Sequence, residues 1–253
     1  MRHWVMSALV AVAIVSPAVA VEWDWIEIGD DTSEQNYVSG SVEWMDNGFT
    51  ISATGGDIWG AKLGCTVAYI VGGVSGDFVF EYTIAEHTTD PATTWSKCGV
   101  MAAEAWDAET PYVFVQSTCS NDATALNDKG SKIITRAERA GDAGPGSNGW
   151  GPLSWPVRYR MERSGDRFDV SVSLDEGATY ASVANPDEGK EGFSEVALGD
   201  SIELGIAING HNAGATIGTA TVVDITLDGL DVYADVEPAG KLATTWGTSR
   251  AAR

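Results

Sequence analysis

Ten tryptophans stand among the 253 residues, and several fall in segments rich in glycine, proline and small polar residues. An indole that stays exposed in a loop can stack on the apolar face of a sugar ring, but tryptophan is usually largely buried. Packing and ligand contact therefore both stay open for each loop tryptophan. The candidates are Trp95, Trp106, Trp150 and Trp155, with Trp106 and Trp150 as the preferred ligand contacts, whereas Trp44 and Trp59 are interpreted as core or strand residues.

Polar side chains that could bind hydroxyl groups beside such rings follow one predicted strand and occupy another. His211 and Asn212 come at the end of the first, and Arg160 and Arg163 lie on the second. They could line one binding face. The preferred alternative is that His211 and Asn212 satisfy backbone groups in a turn, and that the arginines pair with surface carboxylates.

A cluster of carboxylates stands near the start of the chain, in the segment Glu22–Glu27. Its sequence is similar to the E-x-D-x-x-E pattern of a retaining glucanase family, which would make Glu22 the nucleophile, Asp24 its helper and Glu27 the acid. That chemistry needs two carboxyl groups about 5–5.5 Å apart, so Glu27 would have to reach the same face through a bulge. Short motifs also arise by chance. We therefore interpret the segment as the start of a first strand.

Three cysteines give an odd number, so at least one thiol has no intramolecular partner. Cys98 and Cys119 flank a predicted hairpin and could face each other across neighbouring strands. A Cys98–Cys119 bridge is the preferred pairing, and three buried free thiols, including Cys65, are the alternative.

The first twenty residues have the layout of a bacterial-type export signal. Arg2 and His3 precede the apolar run 4–15, and small residues follow at Ala18 and Ala20. We predict cleavage after Ala20, a single β-sandwich domain over 21–235, and a C-terminal tail over 236–253 that is disordered or docks elsewhere. The expected location is secreted, cell-surface or periplasmic.

Carboxylates outnumber basic residues by 36 to 15, which gives a net charge of −21. Such a charge repels phosphate backbones and anionic membranes. We expect no nucleic-acid partner and no insertion into a membrane.

Alternation of apolar and polar residues dominates after residue 21. In the segment 78–84 four apolar side chains point one way, and the segments 168–174 and 202–208 repeat the pattern. Turn signals separate these runs, as at Asp46–Gly48 and Ser164–Asp166. The spacing predicts about 12–14 antiparallel strands in an all-β sandwich.

Six segments, in this order along the chain, resemble extracellular domains of the DUF1349 type, which belong to the concanavalin A-like lectin/glucanase superfamily. They are WIEIGD, GFTISATGGDIWG, SGDFVFEYTIAE, KCGVMAAE, PVRYRMERSGDRFDVSVSLDEGATY and LGIAINGHNAGATIGTATVVDITL. The resemblance implies a two-sheet jelly-roll sandwich with a role in polysaccharide biology, and it implies no catalytic site.

The same resemblance implies a structural Ca²⁺, which oxygen ligands would hold. The candidate ligands are Asp30, Asp31, Asp224 and Asp228, with Asp231 in the same series. The functional expectation is a secreted, non-catalytic module that binds a polysaccharide or a cell-surface glycan. The alternatives are a structural subunit that self-associates by strand addition and, as the weakest, a glycoside hydrolase.

Overall fold

The computed structural model of the protein describes residues 21–29, 40–90, 95–119, 130–145, 154–183, 191–211 and 216–232. These residues form nineteen β-strands and no helix, and twelve of the strands have five residues or more. The long strands are β1 (Trp23–Ile28), β2 (Ser41–Met45), β3 (Gly48–Ala53), β6 (Cys65–Ile70), β8 (Phe78–Asp90), β9 (Lys97–Ala103), β10 (Tyr112–Thr118), β11 (Ser131–Arg136), β13 (Val157–Ser164), β14 (Arg167–Ser173), β17 (Ser201–Asn209) and β18 (Ile217–Leu227). The short strands are β4 (Ile58–Trp59), β5 (Lys62–Leu63), β7 (Val74–Ser75), β12 (Gly144–Pro145), β15 (Ala181–Ser182), β16 (Phe193–Glu195) and β19 (Leu230–Asp231).

Seventeen of the strands form two antiparallel sheets that pack face to face, and β4 and β5 form a separate two-stranded sheet. The first sheet has the order β1-β6-β17-β9-β10-β11-β12, and β7 pairs with β17. The second has the order β15-β14-β13-β8-β18-β3-β2, with β16 and β19 paired at its sides. Some neighbours, such as β6 and β17 or β8 and β18, are distant in sequence, as long Greek-key connections produce, whereas β9 to β12 follow one another directly. The prediction of an all-β, two-sheet antiparallel sandwich is confirmed.

The space between the sheets holds the main hydrophobic core, and the alternating segments supply it. On β8 the side chains of Phe78, Phe80, Tyr82 and Ile84 are buried, whereas the residues between them are partly exposed. Strands β14 and β17 contribute their predicted apolar sets in the same way. The exception is Leu174, 56% exposed, because β14 ends one residue earlier and the alternation stops there.

A second apolar cluster lies on the outer face of the first sheet, which the alternation did not predict to be buried. Strands β9 and β10 are buried along their whole length. The β4–β5 hairpin contributes Ile58 and Leu63 to this cluster, together with Val67, Met101 and Phe114 from the sheet. The first sheet is therefore covered on both faces along part of its length.

None of the three cysteines forms a disulfide, so the predicted Cys98–Cys119 bridge is wrong. The register of β9 and β10 is the physical reason, since Ser117 lies opposite Cys98 and Cys119 comes two residues later. Cys65 and Cys98 are fully buried, and Cys119 is half-buried with its sulfur 3.8 Å from the Thr89 hydroxyl.

Neither the predicted signal peptide (1–20) nor the tail (236–253) belongs to the described residues, so both stay predictions. The same holds for Asp30, Asp31, Trp150 and Asn212. Within the described ranges no helix is long and apolar enough to cross a membrane.

Candidate functional site

A cavity of about 310 Å³ opens on the outer face of the first sheet, at the edge of the second apolar cluster. Among the described residues, two indole rings, three basic side chains, one carboxylate and one amide line it. We call it the Trp59–Trp95 cavity, and its lining residues are Asp57, Trp59, Trp95, Lys97, Gln116, Lys132 and His211.

Neighbouring strands place the polar floor of the cavity. Gln116 on β10 lies directly opposite Lys132 on β11, and Lys97 begins β9 on the other side of β10. Side chains of residues paired across antiparallel strands point to the same face. The sheet register therefore brings the three polar groups together without any loop.

The β4–β5 hairpin supplies Asp57 and Trp59. Gly60 makes the turn of the hairpin with a φ of +60°, a conformation that favours glycine. The Gly60 N–H donates to the Ala143 carbonyl at 3.1 Å, and the Ala143 N–H donates back at 2.7 Å. Arg136 donates a further hydrogen bond to the Gly60 carbonyl at 3.3 Å. The hairpin is thus fastened to the sheet beside the cavity.

Lys97 is a buried cation whose counterion is the Asp57 carboxylate. Its ammonium donates to a carboxylate oxygen of Asp57 at 2.5 Å and to the Trp95 carbonyl at 3.4 Å. Burial lowers the pKa of Lys97, and the Asp57 carboxylate opposes that shift. The pair therefore places one charged group of each sign in the wall of the cavity.

Two indoles border the cavity and keep much of their surface in contact with solvent. Trp59 is 39% exposed and Trp95 is 36% exposed. The ring of His211 stacks on Trp95 with centroids 5.9 Å apart and an interplanar angle of 29°. His211 Nε2 also lies 3.8 Å from Asp57 Oδ2, and the Lys132 ammonium lies 6.0 Å from the centroid of the Trp59 ring.

Gln116 is fully buried, yet neither its amide nitrogen nor its amide oxygen has a hydrogen-bond partner. Leaving a buried polar atom unpaired costs about 1–3 kcal/mol. Such groups are rare in folded proteins. Because Gln116 lines the cavity, a ligand with one donor and one acceptor could satisfy both atoms.

Of the sequence-predicted ligand contacts, the structure brings Trp95 and His211 together in this cavity. Trp106 packs against Tyr69 at 5.7 Å, outside the cavity lining. It therefore fits the packing alternative. Trp150 and Asn212 lie outside the described residues.

Trp155 and Arg160 lie elsewhere. Trp155 packs against His87, with ring centroids 5.9 Å apart, and borders a separate, wider cavity of about 940 Å³. Arg160 belongs to the second sheet, where its Nε donates to Glu81 at 2.8 Å and its guanidinium lies over the Tyr180 ring. The arginine thus follows the surface ion-pair alternative, and it does not share a site with His211.

The glucanase-like carboxylates do not converge. Strand β1 pairs with β6 in one unbroken register from Trp23 to Ile28, so it contains no bulge. Asp24 and Glu27 therefore point to opposite faces. Glu27 accepts a hydrogen bond from the Gly40 N–H. Glu22 precedes the strand and is exposed. The arrangement that a retaining glucanase needs is absent from this segment.

No group of three or more histidine, cysteine, aspartate or glutamate side chains among the described residues could hold a metal ion. Asp228 instead accepts a hydrogen bond from the Val79 N–H at 2.9 Å. The backbone of Asp224 turns with a φ of +53°, and its carbonyl accepts a hydrogen bond from Arg158. Asp30 and Asp31 lie outside the described residues, so the calcium site stays a prediction.

Five cavity residues were not predicted as ligand contacts. Trp59 was interpreted as a core or strand residue, and it does lie on strand β4, but its exposure shows that it is not part of the core. Lys97, Gln116 and Lys132 did carry a signal, because each is a long polar side chain within or beside an otherwise apolar strand. Asp57 carried none, since acidic residues are abundant throughout the chain.

No protein-family model matches the sequence, and no curated protein matches it. Solved structures do resemble the fold. A functionally unknown protein from Saccharomyces cerevisiae is 12% identical, with a TM-score of 0.53, over 81% of this chain and 95% of that one. A carbohydrate binding module, CBM66 from Bacillus subtilis, is 13% identical, with a TM-score of 0.50, over 84% and 99%. The chain therefore shares a two-sheet jelly-roll sandwich fold with these structures.

Proposed function

We propose that the protein binds a glycan in the Trp59–Trp95 cavity and does not cleave it. The observation that carries the proposal is the fully buried amide of Gln116, unpartnered at both polar atoms, in a cavity bordered by two exposed indoles. A sugar presents apolar ring faces to aromatic side chains, and its hydroxyls both donate and accept hydrogen bonds. A bound sugar would therefore supply the hydrogen-bond partners that the Gln116 amide lacks and the apolar faces on which the two indoles can stack.

The mixture of groups in the cavity suits hydroxyl recognition. Asp57 offers carboxylate oxygens as acceptors, Lys97 and Lys132 offer ammonium donors, and Gln116 offers one of each kind. Ligand sites commonly combine apolar walls with a few convergent polar groups. The carbohydrate binding module with the same fold adds support at the level of fold alone.

The count of carboxylates among the described lining residues supports binding without cleavage. Glycoside hydrolysis usually needs a pair of them flanking the scissile bond. The described lining of the cavity contributes one, Asp57, and Lys97 neutralises it at 2.5 Å. We further propose that the protein is exported and that it belongs among the DUF1349-type extracellular domains, on the grounds of its N-terminal segment and the six resembling segments.

The test is a glycan array and polysaccharide pull-down with purified protein, in which binding of at least one glycan is expected. The double variant Trp59→Ala/Trp95→Ala should lose that binding. Trp25→Ala is the matched control, because Trp25 is 38% exposed on β1 and does not line the cavity. Binding that survives in the double variant would rule out this cavity as the binding site. An array with no bound glycan would rule out glycan binding as the function.

Self-association by strand addition is a second candidate, because β1 is an edge strand of the first sheet and pairs, within the described residues, with β6 alone. An open edge can accept another strand. The Asp24 carboxylate, however, already accepts the Trp25 N–H at 2.8 Å. If the C-terminal tail supplies the added strand, deleting residues 237–253 should reduce the oligomer size on size-exclusion chromatography. An unchanged elution volume would argue against this role.

A further inference from the structure

Gln116 is held in the floor of the Trp59–Trp95 cavity by strands on both sides. Strand β10 pairs with β9 on one side and with β11 on the other, so hydrogen bonds of the sheet fix its backbone. The side chain is fully buried, and neither polar atom of its amide has a hydrogen-bond partner among the residues that the structure describes. A ligand in the cavity therefore meets an amide whose place is set before binding and whose donor and acceptor are both unused.

The two unpaired atoms set a strict requirement on that ligand. Nε2 has N–H groups to donate, and Oε1 has lone pairs that accept. One carbon joins the two atoms, so their partners have to lie side by side. Rotating the amide by half a turn exchanges the nitrogen and the oxygen and leaves the requirement unchanged.

Hydroxyls on adjacent carbons of a sugar ring meet this requirement, because each hydroxyl both donates and accepts. One hydroxyl donates to Oε1 while its neighbour accepts from Nε2. A carboxylate offers acceptors alone and would leave Oε1 unpaired. An acetamido group is trans, so its N–H and its C=O point in opposite directions and only one of them can reach the amide.

The two indoles of the cavity suit a ring in this orientation. Equatorial hydroxyls project from the rim of a pyranose, whereas its C–H groups form the two faces. A ring whose rim meets Gln116 in the floor therefore turns its faces toward the borders of the cavity. Trp59 and Trp95 lie at those borders and are 39% and 36% exposed. An indole binds such an apolar face by stacking.

We infer that Gln116 is the specificity-determining residue of this cavity and that it selects a neutral sugar ring with two free hydroxyls on adjacent carbons. One hydroxyl donates to Oε1, and the other accepts from Nε2. Rings whose adjacent hydroxyls are removed or substituted leave part of the buried amide unpaired and bind less tightly. The inference rests on the proposed function, and it names the sugar class that the same site takes.

The experiment titrates the protein, followed by NMR spectroscopy, with the methyl pyranosides of glucose, galactose, mannose and xylose and with every monodeoxy derivative of each. At least one parent glycoside should bind, and removal of either of two adjacent hydroxyls should weaken binding about tenfold, the value of one hydrogen bond. In Gln116→Met the parent and these two derivatives should bind equally. Thr50→Val is the matched control and should keep the tenfold differences, because it removes a hydroxyl from the second sheet, outside the described lining.

The outcomes separate this inference from the proposed function. Dependence on a single hydroxyl, or on two that are not adjacent, overturns the paired recognition and leaves glycan binding intact. Tenfold differences that persist in a folded Gln116→Met variant overturn the role of Gln116. A glycan that binds on the array without a response to any of these glycosides overturns the neutral ring.

Adenine is the counter-probe, since its ring also pairs with an amide through one donor and one acceptor. Tighter binding of adenine than of every glycoside overturns the sugar class. Failure to bind any glycan, on the array or in the titration, defeats the proposed function itself.

Discussion

The ammonium of Lys97 lies 2.5 Å from the carboxylate of Asp57, and their side chains are only 5% and 20% exposed. Replacing Asp57 with Asn leaves that ammonium largely buried without its counterion. We expect the free energy of unfolding to fall by about 2–3 kcal/mol, near the lower end of the range for a broken buried pair because Asp57 keeps some contact with water. Urea unfolding measures the change.

An exposed ion pair provides the control for that variant. Asp169 pairs with Arg167 at 2.7 Å, and both side chains are more than 40% exposed. Asp169→Asn should change the free energy of unfolding by less than about 1 kcal/mol. The double variant Asp57→Asn/Lys97→Met should recover part of the loss in a double-mutant cycle. If the two aspartate variants were equally stable, the buried pair would have no special role.

Gln116 should show a conflict between stability and binding. Gln116→Met keeps the approximate shape and removes two buried atoms that lack partners. We expect the free energy of unfolding without ligand to rise by about 1–2 kcal/mol, while glycan affinity falls. Tyr82→Phe should have the opposite effect on stability, because the Tyr82 hydroxyl accepts the Val100 N–H at 3.0 Å. A Gln116→Met protein less stable than wild type would contradict the expectation.

His87 should make the fold sensitive to acid. Burial lowers its pKa from 6.5 to about 3, and its Nε2 lies 2.9 Å from the Ser96 hydroxyl. Between those two pH values the unfolded chain binds a proton that the folded protein excludes. The free energy of unfolding should therefore fall with decreasing pH, by up to about 1.4 kcal/mol per pH unit from this residue, and it should not depend on His87 above pH 7.

Chemical denaturation at a series of pH values in wild type and His87→Gln tests the prediction. The difference between the two proteins isolates the histidine, since the carboxylates titrate in both. Ser96→Ala keeps the buried imidazole and should keep the pH dependence. Identical slopes in wild type and His87→Gln between pH 4 and 6 would show that the imidazole is not the group responsible.

The three thiols should differ in reactivity in the order of their burial. Burial raises the pKa of Cys65 to about 12 and also raises that of Cys98, so neither forms a thiolate at neutral pH. We expect iodoacetamide to modify only Cys119 in the native protein, and slowly, because burial also raises its pKa. Mass spectrometry after denaturation should find three alkylated cysteines. A peptide containing Cys98 linked to Cys119 would contradict the free thiols.

The fold was more predictable than the site because alternation of side chains is a local signal. Phe78, Phe80, Tyr82 and Ile84 report the inner face of β8 without knowledge of any partner strand. The alternation did not predict that the outer face of the first sheet is buried, because that burial is not a local property of the strands. Its burial depends on the β4–β5 hairpin, which packs there through Ile58 and Leu63, and two-residue strands leave almost no periodicity.

The cavity depends on pairings between segments that are far apart in sequence. Trp95 and His211 lie 116 positions apart in the sequence, yet their rings stack at 5.9 Å. Gln116 and Lys132 meet because the register of β10 and β11 sets them opposite each other. Residue type alone made Trp95 and His211 candidates. It favoured Trp106 over Trp95, although the Trp106 ring packs against Tyr69 instead.

Gly60 and Ala143 exchange two backbone hydrogen bonds, and Arg136 adds a third bond to the Gly60 carbonyl. These bonds affect the thermodynamics of the proposed glycan binding. A hairpin held at its turn cannot sample many orientations, so Trp59 is close to its bound position before any ligand arrives. Little conformational entropy then remains to be lost on association. If a glycan binds as proposed, the rigidity of this neighbouring turn contributes to affinity without touching the sugar. Weakening it, for example through Arg136, should raise the dissociation constant while leaving every ligand contact in place.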